Sequence, residues 1–146
     1  MNPYFEQSIL SADPIELIAM VYQRAISCVR DAREHLRHKR IAQRSAAILG
    51  AYSALAELLA ALRPEMAPEL AGRLQSLYFY MQRRLLDANA QQIDQPLAEV
   101  LSLLSTLAEG WSGVAAELSP NREPDYVSGR ESGHEYEDTA RLAISA

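Results

Sequence analysis

The chain has 146 residues, of which 49% are hydrophobic and 23% charged, and its formal net charge is −5. This length and composition fit one globular domain, and the acidic balance removes the electrostatic attraction that draws proteins to nucleic acid or anionic membranes. With one cysteine and no apolar run of signal-peptide or membrane-spanning length, the chain is predicted to be cytoplasmic, without disulfide bonds or membrane insertion.

The first twelve residues show no regular apolar spacing, unlike the stretches that follow them. They nevertheless include the large apolar side chains of Tyr4, Ile9 and Leu10. Apolar groups leave water favourably only when they pack against another surface. We therefore predict a non-helical N-terminal arm over residues 1–12 that lies against the folded domain or against a partner.

Apolar residues in the next two segments recur at steps of three and four, which is typical of helices that bury one stripe. The first helix is predicted to begin at Asp13, a good N-cap, with Pro14 at its first position and Glu16 completing a capping box. Its predicted stripe is Ile18, Tyr22, Ala25, Val29, Ala32 and Leu36. The second helix is predicted to end at Pro64. Its predicted stripe is Ile48, Tyr52, Leu55, Leu59 and Leu62.

Two more helices are predicted, one from about Pro68 to about Ala90 and one that opens after Gln95-Pro96 and ends near Leu118. The stripe of the third helix is Leu70, Leu74, Leu77, Met81, Leu85 and Ala88. The stripe of the fourth is Leu97, Val100 or Leu101, Leu104, Leu107, Trp111 and Val114. Four helices of about 20–25 residues, each roughly 30–37 Å long, can lie side by side with short connections. We therefore predict an all-α fold, an antiparallel four-helix bundle over residues 13–118.

The composition changes after the fourth helix. Residues 119–146 hold six acidic and three basic residues among scattered Ser, Gly and Pro, and the apolar periodicity is lost. A segment of this kind cannot bury enough apolar surface to fold alone. We predict a disordered acidic tail, in which Leu142 and Ile144 are the groups that could fold back onto the bundle.

The third helix carries two large apolar residues outside its stripe. At about 100° per residue, Phe79 and Leu86 lie roughly 140–160° from the stripe, one above the other. An amphipathic partner helix could lie along them, or the N-terminal arm or a crossing loop could cover them. Tyr78, beside the stripe, and Arg83 complete the predicted partner-binding residues of this helix. The alternative for Tyr78 is a role in the core, with its phenol bonded at the bundle edge.

Small residues occupy a flank of the second helix, among them Ala47, Gly50 and Ala54. Glycine inside a helix costs roughly 1 kcal/mol relative to alanine, so its presence favours a site where another backbone approaches closely. We predict that these three residues contribute to partner binding. The alternative is a solvated face filled with good helix formers.

Charged residues cluster at the end of the first helix. Its basic residues could meet an acidic partner or simply offset the helix dipole. They continue into the second helix and comprise Arg33, Arg37, Lys39, Arg40 and Arg44.

Two histidines, His35 and His38, lie in the same stretch, close to Asp31 and Glu34. A metal site inside a bundle needs inward ligands, and these residues lie off the stripe, so no metal is predicted. An exposed histidine on a bundle helix could accept a phosphoryl group, and histidine phosphotransfer is the alternative function. The sequence contains no glycine-rich phosphate loop or nucleophile elbow, so no enzyme, cofactor or small-molecule substrate is predicted.

Four blocks follow one another in order along the chain, and together they resemble the flagellar secretion chaperones (FliS). They are Asn2-Pro3-Tyr4, the helix entry from Ser11 to Tyr22, the segment from Leu77 to Asn89, and the segment from Leu97 to Trp111. Phe79 departs from the family pattern, which usually has a polar or acidic residue there. The resemblance implies a cytoplasmic four-helix bundle that holds unassembled flagellin before export.

The same resemblance implies the partner and the role of the arm. The partner is the disordered C-terminal region of flagellin, kept from premature polymerisation until its export; a component of the flagellar export gate is a second candidate partner. In this family the N-terminal arm occupies part of the surface that flagellin takes over. Here that role would fall to Tyr4, Ile9 and Leu10.

Overall fold

The computed structural model describes residues 14–117, with side-chain surroundings as far as residue 113. This region contains four α-helices, α1 (Pro14–Arg37), α2 (Ile41–Ala60), α3 (Pro68–Gln91) and α4 (Gln95–Glu117), and no strand. The predicted all-α class is confirmed. The Asp13 cap, the arm residues Tyr4, Ile9 and Leu10, the side chain of Val114 and the tail 119–146 lie outside the described residues, and the predicted domain limits stay predictions.

The helix boundaries follow from local sequence. Pro68 stands in the first turn of α3, where its missing N–H costs no hydrogen bond. Two of the connections turn through left-handed residues: Lys39 and Gln92 each have φ of 56°. The Gln92 N–H caps α3 by donating to the carbonyl oxygen of Ala88. These tight turns keep consecutive helices side by side.

Hydrogen bonds between neighbouring helices reveal their relative direction. Ser45, early in α2, donates to Asn89, late in α3, whereas Gln82 donates to the carbonyl oxygen of Tyr52, further along α2. Residue numbers that increase along α2 therefore pair with residue numbers that decrease along α3, as they do in antiparallel helices. The same reversed order holds between α1 and α2, in the contacts Arg24–Glu57 and Cys28–Gly50. It holds between α3 and α4, in Arg84–Gln95 and Tyr80–Glu99. It also holds between α1 and α4, in Arg33–Asp94 and Tyr22–Trp111.

All four helices contribute to one apolar core. The predicted stripe of α1 is confirmed, with Leu36 only partly buried at its end. On α3, Leu74, Met81, Leu85 and Ala88 are buried as predicted, while Leu70 and Leu77 are partly buried. On α4 the buried residues are Leu97, Val100, Leu104, Ala108 and Trp111, with Leu101 and Leu107 partly buried.

The buried stripe of α2 is rotated from the predicted one. Ile48 and Leu55 are buried, but Tyr52, Leu59 and Leu62 are only partly buried. Ala51, Ala54 and Leu58 are buried in their place. The reason is that α2 packs against both α1 and α3, so its buried surface extends onto the small residues that lie towards α1.

A chain of polar groups crosses the core and joins three helices. The hydroxyl groups of Tyr22 and Tyr78 lie 2.5 Å apart, and the Trp111 Nε1–H donates to the Tyr22 hydroxyl at 2.9 Å. Burial raises the pKa of both phenols, although the hydrogen bonds of Tyr22 partly oppose this shift. Both phenols therefore stay neutral at physiological pH, and they fix the relative positions of α1, α3 and α4.

Candidate partner-binding surface

Phe79 and Leu86 lie on the outer surface of α3, as predicted, with 53% and 52% of their surface exposed. They are seven residues apart, which places them two turns and about 10 Å from each other along the helix. Gln82 and Asn89 mark the α2 side of α3, because both hydrogen-bond to α2. Each lies three residues after one of the exposed pair, a rotation of about 60°. Phe79 and Leu86 therefore border the seam between α2 and α3.

The facing side of α2 supplies further exposed apolar residues. Leu49 is 66% exposed and Ile41 is 59% exposed. Leu49 lies between Ser45 and Tyr52, which bond to Asn89 and Gln82, so it stands level with Leu86 across the seam. We call the surface formed by Ile41, Leu49, Phe79 and Leu86 the α2/α3 face.

Leu49 and Ile41 are the surface residues that the sequence patterns missed. The apolar residues of α2 point in several directions, so its periodicity does not separate buried from exposed positions. The one useful signal was their spacing of eight residues, which places both on one side of a helix.

Arg83 is exposed beside the two apolar side chains of α3. It lies four residues after Phe79 and three before Leu86, and both intervals keep side chains on neighbouring parts of a helix surface. The α2/α3 face therefore has a positive charge at its edge, next to its largest apolar groups.

Tyr78 does not belong to this surface, which corrects its prediction as a partner-binding residue. Only 2% of its surface is exposed, and its hydroxyl bonds to Tyr22 inside the core. It lies four residues after Leu74 and three before Met81, both buried, so it occupies the middle of the stripe rather than its border.

The small-residue flank of α2 is also corrected, because it faces α1 rather than solvent. Ala54 is fully buried, and Ala47 packs partly buried against the core. A Cβ atom added to Gly50 would lie 2.8 Å from Cys28 Sγ of α1. The close approach that glycine permits at this position is therefore made by a helix of the same chain.

This correction predicts opposite effects for two glycines. Gly50→Leu is expected to lower the free energy of unfolding by about 2–3 kcal/mol, because the new side chain overpacks the α1/α2 contact. Gly72→Leu in α3 is the matched control, since a Cβ atom added there would meet no neighbouring atom within 4 Å. At that position, helix propensity is expected to leave stability unchanged or raise it by up to about 1 kcal/mol. Urea unfolding measures the free energy of unfolding of both variants. Equal changes in the two would show that Gly50 lies on an open surface and not against α1.

The two histidines do not form a site suited to phosphotransfer. His35 is partly buried, and its Nδ1 atom is enclosed. His38 is exposed, but its Nε2 atom hydrogen-bonds Glu34 Oε1 at 2.9 Å. This contact lowers the pKa of Glu34. Neither residue gives a reason to prefer the alternative function.

Two further features concern possible ligands. Within residues 14–117, no group of three or more His, Cys, Asp and Glu side chains is arranged to hold a metal ion. In the same region, none of the four helices has the length and apolar character needed to cross a membrane. The feature that distinguishes this bundle is its exposed apolar α2/α3 face.

The described residues thus form a four-helix bundle with an exposed apolar face shared by two helices. Residues 1–118 match the family model described as "Flagellar protein FliS". The chain therefore belongs to the FliS family of flagellar secretion chaperones, as the sequence blocks indicated.

Three relatives show how far the similarity extends. The flagellar secretion chaperone FliS of Salmonella typhimurium is 36% identical over 115 residues, which cover 78% of this chain and 85% of that protein. FliSB of Pseudomonas aeruginosa is 33% identical over 110 residues, covering 75% and 87%. FliS of Bacillus subtilis is 27% identical over 113 residues, covering 75% and 84%. The matched lengths account for most of each protein.

Proposed function

We propose that this chain is a cytoplasmic export chaperone that binds the disordered C-terminal region of flagellin on the α2/α3 face. Binding there prevents premature polymerisation and supports export. No catalytic step and no cofactor are part of this function. The family supports the chaperone role, and the exposure of Leu49, Phe79 and Leu86 on one face is the observation that carries the choice of surface.

The chemistry of the face suits an amphipathic helix. Fully burying a large apolar side chain contributes roughly 1.5–3 kcal/mol. The four large apolar groups of this face are 52–66% exposed, so each would contribute about half of that on binding. A disordered segment gives up about 2–5 kcal/mol or more to become ordered when it binds. The face therefore offers an apolar contribution of the same order as that cost.

Two parts of the proposal concern residues beyond the described ones. The arm residues Tyr4, Ile9 and Leu10 are proposed to cover part of the bundle surface until flagellin replaces them. The export gate remains a second candidate partner, which would have to engage the loaded chaperone elsewhere. Both ideas rest on the family resemblance.

Calorimetric titration of the full chain with the last ~50 residues of flagellin from its own organism tests the function. A peptide of this length is close to two bundle-spanning helices. We expect saturable binding with a large negative heat-capacity change, the signature of apolar burial coupled to folding. A peptide of the same length with its apolar residues replaced by serine is the control and should not bind. Absence of binding by the native peptide would contradict the proposed function.

A further inference from the structure

A second surface, which is charged where the α2/α3 face is apolar, lies where α1 ends and α4 begins. Arg30, Arg33 and Arg37 follow one another at steps of three and four, which places them along one flank of α1. With Leu36, Glu34 and Asp94 they line an open cleft of about 590 Å³, here called the α1/α4 cleft.

One wall of the cleft is fixed by an ion pair. Arg33 donates through Nε and a terminal nitrogen to the two carboxylate oxygens of Asp94, at 2.8 and 2.9 Å. This paired contact holds the pKa of Asp94 below its usual range, so the carboxylate stays ionised. Arg33 is therefore held in place, and its positive charge is already balanced by the Asp94 carboxylate.

The charge around this cleft is positive in excess. Three arginines and two acidic residues, Glu34 and Asp94, line it, and the exposed Lys39 and Arg40 follow Arg37 in sequence. Arg37 contacts Glu34 through one terminal nitrogen, and 71% of its side chain stays exposed, so it can still meet a further carboxylate. Arg44 is buried and bonds to Asn89, so it cannot meet a partner as the sequence suggested. Arg30, Lys39 and Arg40 have no carboxylate within ion-pair distance among residues 14–113.

The chain itself contains a segment of opposite charge. Residues 131–138 hold four acidic residues, Glu131, Glu135, Glu137 and Asp138, and no lysine or arginine. They follow α4 in sequence and lie outside the described residues. An acidic segment tethered to the same molecule meets the cleft at an effective concentration in the millimolar range, far above that of a typical free partner.

The length of the chain permits this contact. Asp94 adjoins Arg33 and Trp111 adjoins Tyr22, so α4 begins beside the end of α1 and runs back towards the start of α1. The segment must therefore return along the bundle, a distance of about 30–36 Å for a helix of this length. The 13 residues from 118 to 130 can span up to about 43 Å when extended. Glu131 can reach the cleft.

We propose that the α1/α4 cleft binds the acidic segment Glu131–Asp138 of the same chain, with Arg30, Arg37 and the adjacent Lys39 and Arg40 pairing with its carboxylates. The contact is electrostatic and solvent-exposed, so it is reversible and sensitive to salt. It leaves the apolar α2/α3 face open, and it does not depend on the proposed flagellin binding.

Paramagnetic relaxation in the full-length chain tests this contact. A nitroxide is attached at Ser132→Cys in a Cys28→Ala background, and backbone amide signals are compared before and after reduction of the label. We expect the signals of residues 30–40 to weaken by about twofold or more at low salt, given the high effective concentration of the tether. They should recover at about 0.5 M NaCl, where charges are screened within a few ångströms.

Charge reversal separates this cleft from general attraction to the bundle. Arg30→Glu combined with Arg37→Glu should remove the effect, with circular dichroism confirming that the helices persist. Arg73→Glu combined with Arg83→Glu changes the same charge on exposed positions of α3 and should leave the effect intact. The proposal would be overturned if the signals of residues 30–40 were not weakened, or if their weakening did not depend on salt. It would also be overturned if both double variants lost the effect equally.

Discussion

Phe79→Asp combined with Leu86→Asp is expected to weaken binding of the flagellin C-terminal segment by about 100-fold or more. Burying the exposed half of each side chain contributes about half of the roughly 1.5–3 kcal/mol of full burial, and 1.4 kcal/mol corresponds to a factor of ten in affinity. The aspartates would also lose hydration under the ligand. Because both positions are about half exposed in the free bundle, at 53% and 52%, helical content should remain unchanged. Calorimetry and circular dichroism of the same samples measure both effects.

A control on the same helix isolates the contribution of the surface. Arg73→Glu adds the same two units of negative charge at an exposed position about 120° around α3 from Phe79, and it should leave affinity within about threefold, as expected for surface changes outside an interface. Loss of folding in the Phe79 and Leu86 variant would show that these residues support the core. Unchanged binding would place flagellin on another surface of the bundle.

The second large effect is expected in the core, at Tyr22. Its hydroxyl accepts from Trp111 Nε1 and bonds to the Tyr78 hydroxyl, so Tyr22→Phe leaves two buried polar groups without their partners. Each such group costs about 1–3 kcal/mol, and we expect the free energy of unfolding to fall by about 2–4 kcal/mol. Tyr78→Phe should cost about half as much, because the Trp111 contact survives.

Tyr52→Phe provides the matched control for these substitutions. Tyr52 is partly buried, and its hydroxyl makes no hydrogen bond within the described part of the chain, so the change should cost less than about 0.5 kcal/mol. Chemical unfolding ranks the three variants, and emission from Trp111, the only tryptophan, should shift in the folded state of Tyr22→Phe alone. Equal stability of the Tyr22 and Tyr52 variants would mean that the buried network contributes little.

The fold was largely predictable from the sequence, for reasons that differ between helices. In α1 the buried residues keep to one stripe from Ile15 to Ala32, and Pro14 marks the start of the helix, so both boundary and orientation were predictable. In α2 apolar and small residues occur on every side, because the helix packs against two neighbours and also exposes Leu49. Periodicity cannot distinguish those surfaces, and the predicted stripe was rotated as a result.

The candidate site was predictable only where the helical phase was clear. The stripe of α3 fixed the outward direction of Phe79 and Leu86. Small residues such as Gly50 and Ala54 gave no such guide, because a close approach within the chain and one by a partner require the same residues. Only the position of Cys28 on α1 decides between them. A single sequence does not contain that distance.

The α2/α3 face is divided between two helices, and this division would link binding of any ligand there to the rigidity of the bundle. Its shape exists only while the bonds from Gln82 to Tyr52 and from Ser45 to Asn89 hold the two helices in register. A ligand lying across both helices therefore adds its binding free energy to their association, and separating the helices reduces its affinity by the same amount. A shift of α2 against α3 would therefore weaken any ligand bound across both helices.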